Sequence, residues 1–108
     1  MPSPQELDDR SLAMHRLVAD KVRADIGLLD DAQAILKRWH VTVSPRTFAY
    51  LDEWQRLLDA GGEAVLAVAT EETQHAAALR QASPLTCLLT NRERFAFLKA
   101  WKEQHAPQ

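Results

Sequence analysis

RQASPLTCLLTNRERF, Arg80 to Phe95, is the stretch on which the fold turns. A charged and amide pair leads into Ser83-Pro84, then a short apolar run around the chain's one cysteine, then Thr90-Asn91-Arg92-Glu93. Proline gives no N–H to the preceding turn and restricts the residue before it, so a helix arriving from upstream must stop near Ser83. Thr90 and Glu93 have capping-box spacing, which launches a final helix. Leu85, Leu88 and Leu89 lie three and four residues apart and are expected to drop into the core between the two helices. Arg80 and Gln81 fall in the arriving helix's last turn, where a guanidinium meets the negative dipole end and free carbonyls.

The same signals recur upstream. Ser3-Pro4-Gln5-Glu6 has capping-box form with proline at the first helical position. Leu7, Met14, Leu17, Val18 and Val22 follow as one helical stripe, with Gly27 as the expected stop. A second helix turns Leu28, Leu29, Ala32, Ile35, Leu36 and Trp39 inward. His40 to Ser44, HVTVS, is strand-like but has no partner strand, so it reads as a connector. Ser44-Pro45 starts a helix with Phe48, Leu51, Trp54 and Leu58 on one face, which Gly61-Gly62 end. Glu63 to Ala69 is nearly all apolar and reads as a short buried helix, a buried strand being the alternative. Thr70, with Glu71 and Glu72, is expected to cap the next helix. Phe95, Leu98 and Trp101 then form the inward stripe of the last one.

These elements define an all-α fold, a compact orthogonal bundle of five to six short helices. Trp39, Trp54 and Trp101 are its natural anchors. The chain has 108 residues, enough for one core and too few for two, so residues 1–108 read as a single helical domain with frayed ends at about 1–3 and 104–108. A net charge of −2 argues against a generally basic nucleic-acid binder. A lone cysteine forms no internal disulfide and fits a reducing compartment. The N-terminus lacks the basic and apolar regions of a signal peptide, and no apolar run is long enough to span a bilayer. A cytoplasmic protein with no membrane association is expected.

Little in the sequence supports catalysis. His15, His40, His75 and His105 never share a helix at ligand spacing. Glu72 and His75 match Glu-x-x-His, but a di-metal bundle needs two such motifs and more glutamates. Cys87, flanked by leucines, reads as a buried inert thiol. Three glycines are too few for a phosphate-binding loop. No catalytic residue, metal site or cofactor is therefore expected, and the chain reads as a non-enzyme. From Arg80 to His105 there are five basic and two acidic residues, a local charge of +3. That leaves open a small DNA-binding transcriptional regulator using the C-terminal helix. Leu28, Leu29, Val41, Val43, Tyr50, Leu85 and Phe97 are more apolar side chains than so small a core should hold, which favours a protein-binding surface.

The quoted stretch also resembles a family of small bacterial all-helical proteins with an Arg-Gln-x-Ser-Pro pattern, matched here by Arg80, Gln81, Ser83, Pro84, Leu89, Arg94 and Phe95. Ser11 to Val22 and Tyr50 to Val68 are similar to the same family. Leu85 stands where phenylalanine is usual, Cys87 where glycine is common and Asn91 where proline is frequent. The resemblance implies an antitoxin-like or regulatory component that neutralises another protein by occlusion, its partner being the product of an adjacent gene. The residues expected to meet that partner are Arg80, Gln81, Leu85, Arg92, Arg94 and Phe97. The oligomeric state is left open.

Overall fold

A computed structural model describes residues 3–105. Six α-helices follow one another: α1 (Pro4–Ala24), α2 (Leu28–Thr42), α3 (Phe48–Ala60), α4 (Gly62–Ala69), α5 (Gln74–Arg80) and α6 (Asn91–Gln104). Two 3-10 turns, Pro45–Thr47 and Leu85–Leu88, join them. There is no strand among the described residues. The all-α bundle is as expected, except that α1, at 21 residues, is not short.

Ser3 starts α1, its hydroxyl accepting from the Glu6 N–H at 3.2 Å. Met14, His15, Val18, Ala19 and Val22 form its buried stripe. The helix ends at Asp25, before the expected glycine stop. Gly27 has an ordinary right-handed conformation and instead precedes α2. Along α2 the buried side chains are Ala32, Ile35 and Leu36, and the helix continues through Thr42. His40 to Thr42 are therefore helical: with no neighbouring strand to bond, their backbone groups are satisfied within the helix.

Leu51, Trp54 and Leu58 bury one face of α3. Trp54 is fully enclosed, and its indole N–H donates to the Leu79 carbonyl at 3.0 Å, tying α3 to α5 at the centre of the core. Gly61 separates α3 from α4 with φ 127°, ψ 165°, a conformation that side chains strongly disfavour. Val65, Leu66 and Ala69 then bury α4. Contrary to the expected cap, Thr70 closes α4, its hydroxyl donating back to the Leu66 carbonyl at 2.9 Å. The N-cap of α5 is Thr73, which accepts from the Ala76 N–H at 3.1 Å. Glu71 and Glu72, between the two threonines, turn the chain.

α1 packs on α4, α5 and the Leu85–Leu88 turn, α2 packs on α3 and on that turn, and α4 packs on both α3 and α5. The core joins Val18, Val22, Leu36, Leu51, Trp54, Leu66, Leu79 and Leu85. Trp39 lies only partly buried at its margin, and Trp101 is likewise half-exposed, so Trp54 alone anchors the interior. Leu28, Leu29, Val43 and Phe97 pack against the core, whereas Val41 is 84% exposed. The apolar excess is thus smaller than expected. α6 pairs extensively with no other helix, and no residue along it is fully buried. None of the described helices is long and apolar enough to cross a membrane.

The two adjacent glycines carry different demands. A Cβ on Gly61 would meet nothing within 4 Å, so alanine there is opposed by backbone conformation alone. A Cβ on Gly62 would touch only the flexible ends of Ile26 and Leu29, at 3.0 and 3.2 Å. Gly61→Ala is expected to destabilise by about 1–3 kcal/mol, and Gly62→Ala by clearly less. Denaturant unfolding of both variants checks the ranking.

Candidate functional site

The segment after α5 is a corner built around buried polar atoms. His15, on the inner face of α1, donates from Nδ1 to the Ser11 carbonyl at 2.7 Å. A carbonyl only accepts, so the ring proton sits on Nδ1 and Nε2 is free to accept. The Ser83 hydroxyl donates to it at 2.8 Å, and the same oxygen accepts from the Leu85 N–H at 3.1 Å. One hydroxyl therefore fixes α1 against the chain as it leaves α5. Burial pushes the His15 pKa down to about 4, since a buried imidazolium loses its hydration; the bond to Ser11 opposes this and the charge of Arg80 adds to it.

Arg80 is 6% exposed. Its Nη1 donates to the Glu71 carbonyl at 2.8 Å and to the Ala69 carbonyl at 3.3 Å. The guanidinium thus serves free carbonyls, as its place in a last turn suggests, but those at the end of α4 rather than α5. Burial lowers its pKa from the usual arginine value. Leu85 is wholly buried and Leu88 and Leu89 nearly so, as their spacing predicts. Cys87 is exposed, which overturns the expected buried thiol. In a 3-10 turn side chains repeat every three residues, so Leu85 and Leu88 face the core together and Cys87 faces out.

The start of α6 is clamped from two sides. Thr90 and Glu93 complete the capping box, with bonds of 3.1 and 2.8 Å. Lys21, in the last turn of α1, donates to the Glu93 carboxylate and to the Leu88 carbonyl at 2.9 Å. The Lys21 bond, followed by the backbone N–H of Thr90, lowers the Glu93 pKa to about 2. Arg94 donates to the Thr86 carbonyl at 2.7 Å. Farther along, Phe97 and Leu98 pack on the core, and the Trp101 ring stacks on His105 with centroids 3.8 Å apart. Phe95, expected to face inward, is 67% exposed: Phe97 and Leu98 take the inner face, which turns Phe95 away. Arg92, Lys99 and Lys102 are exposed on the same outward side as Phe95.

The six residues assigned to a partner surface therefore separate. Arg80 and Leu85 are enclosed and have no surface to present, because one closes α4 and the other fills the core. Arg94 is engaged at the corner, and Phe97 leans on the body. Gln81 and Arg92 are exposed. The Glu72–His75 pair does not form: Glu72 precedes α5 and bonds Arg16 at 2.8 Å, while His75 bonds Glu53 at 2.7 Å. Among the described residues, no three His, Cys, Asp or Glu side chains gather as a metal site. Sequence reading missed the pairing of His15 with Ser83, whose 68-residue separation leaves no local signal. No family model, curated protein or solved structure matches the chain.

The buried imidazole gives the corner a pH dependence. Between pH 6.5 and about 4 the unfolded chain protonates His15 while the folded chain resists, so stability falls as pH falls through that window, by about 3 kcal/mol in all. His40 is raised, chiefly by its bond to Asp52, so its contribution is present below pH 6.5, is lost on raising pH through its folded pKa, and partly offsets the trend. Glu93, being depressed, contributes stability that is lost only as pH falls from about 4.5 towards 2. Denaturant midpoints measured from pH 7 to 4 are expected to decline steeply in the parent and less so in His15→Asn. An equal decline in both would refute the assignment.

Proposed function

We propose that the chain is a non-enzymatic protein-binding module that presents the outward face of α6 to an acidic partner. The observation carrying this reading is the stripe Arg92, Phe95, Lys99 and Lys102, which is exposed throughout. None of its three cations is in an ion pair among the described residues. An exposed phenylalanine among such cations is costly to leave in water and suits an apolar pocket with an acidic rim. The helix has four basic and two acidic residues, whereas the rest of the chain has nine basic and thirteen acidic. The positive character is thus local to the docking face, and it favours a partner of opposite charge. Resemblance to the Arg-Gln-x-Ser-Pro proteins supports an antitoxin-like role, in which the bound module occludes its partner's working surface. Of the residues expected from the sequence to meet a partner, Arg92 lies on this surface.

A DNA-binding regulator is the second reading, favoured by the same basic stripe. Three unpaired cations make a small phosphate footprint, and the acidic remainder of the chain repels a duplex. Protein binding is therefore preferred.

Coexpression with the product of the adjacent gene is expected to yield a complex that copurifies and rescues growth. Phe95→Asp should weaken it by at least about tenfold with an unchanged melting temperature, since that side chain faces water. Absence of both complex and rescue would defeat the proposal. A gel shift on the chain's own upstream DNA that weakens with salt, and is lost in the Arg92, Lys99 and Lys102 alanine variant, would transfer the face to the second reading.

A further inference from the structure

The outward face of α6 suits a surface that is partly apolar and acidic, and the chain itself carries one. A cleft of about 340 Å³ lies between the first turns of α1 and the start of α5. Leu12 and Ala77, both half-buried, give it an apolar lining, and Asp8, Asp9 and Glu72 give it an acidic one. Asp9 and Glu72 are exposed, held only by surface bonds to Gln5 and Arg16, each at 2.8 Å. Arg80 also borders the cleft, but its Nη1 is bound to the Glu71 and Ala69 carbonyls. Three carboxylates against one guanidinium leave this lining with a charge of −2.

Within one molecule the cleft and the α6 face stay apart. Lys21, which clamps the start of α6, lies twelve residues beyond Asp9 on α1, a rise of about 18 Å. Phe97 and Leu98 hold the opposite side of α6 on the core, which keeps Arg92, Phe95, Lys99 and Lys102 in water. A second copy is under no such constraint. Its cleft offers α6 what the body of its own chain does not: apolar cover for Phe95 and carboxylates for the three cations around it.

We propose that α6 of one copy docks by its outward face into the α1–α5 cleft of a second copy, so that self-association masks this face until the partner displaces it. The inference rests on the reading of that face as a docking surface. Because the two surfaces differ, the contact is head-to-tail: it is made twice in a closed dimer or repeated along an open chain. The charges that meet in it are exposed in the free chain, so salt weakens the contact.

Sedimentation equilibrium of the full chain from about 10 μM to 1 mM reads the association. The mass is expected to rise with concentration in dilute salt and to return to the monomer value at about 0.5 M salt. Two charge reversals identify the surfaces: Asp9→Lys with Glu72→Lys in the cleft, and Lys99→Glu with Lys102→Glu on α6. All four positions are exposed, so each double variant should melt as the parent does. Where one does not, the single reversals Glu72→Lys and Lys102→Glu carry the test. Each variant alone is expected to associate at least about tenfold more weakly than the parent. An equal mixture of the two should regain association, since the reversed cleft matches the reversed helix and the two unaltered surfaces match each other. A parent that is monomeric throughout, a reversal without effect, or a mixture that stays monomeric would each overturn the proposal.

Coexpression with the product of the adjacent gene separates this inference from the reading beneath it. The cleft variant should keep that complex, and the α6 variant should lose it. A monomeric parent that still copurifies with its neighbour defeats self-masking alone, whereas self-association through α6 without any such complex defeats the proposed partner alone.

Discussion

The Ser83 hydroxyl makes two bonds in a place that water does not reach, and the arrangement of the helices depends on them. It donates to His15 on α1 and accepts from the backbone of Leu85. Without that oxygen the imidazole and an N–H would be buried unmet, each at a cost of about 1–3 kcal/mol. With it, the chain can leave α5, turn at a buried proline and drive Leu85 into the core. Arg80, three residues earlier, closes the end of α4. The corner thus holds α1, α4 and α5 together before α6 begins.

α6 inherits its position from that corner. Its first turn is fixed by the capping box, by Lys21 from α1 and by Arg94 reaching back to Thr86. Beyond that turn, Phe97 and Leu98 anchor it to the core. A helix secured along one edge keeps its opposite face free, and here that face has three cations around Phe95. The architecture and the proposed function meet at this point: the rigid corner aims a basic, partly apolar helix face away from an otherwise acidic chain.

Helix starts were legible where one residue carries the signal. Ser3 and Thr90 cap as their spacing implies, and proline after Ser83 breaks the chain as expected. Reading failed where tertiary contacts choose among local options. Thr70 and Thr73 are both able to cap α5, and only the turn whose carbonyls receive Arg80 decides between them. Phe95 and Phe97 are both able to face inward, and the clamp on the first turn of α6 sets the rotation. Cys87 looked buried because its neighbours are, yet the three-residue repeat of the turn exposes it. Arg80 and Gln81 looked like a pair, but the fold encloses the first and leaves the second in water.

Ser83→Ala removes a single oxygen from the corner and adds no bulk, so denaturant unfolding of that variant at neutral pH tests the central claim most directly. If the hydroxyl organises the corner, stability falls by about 2–3 kcal/mol with the slope of the transition unchanged. A stability equal to the parent's would show that the corner stands without it and would contradict the account.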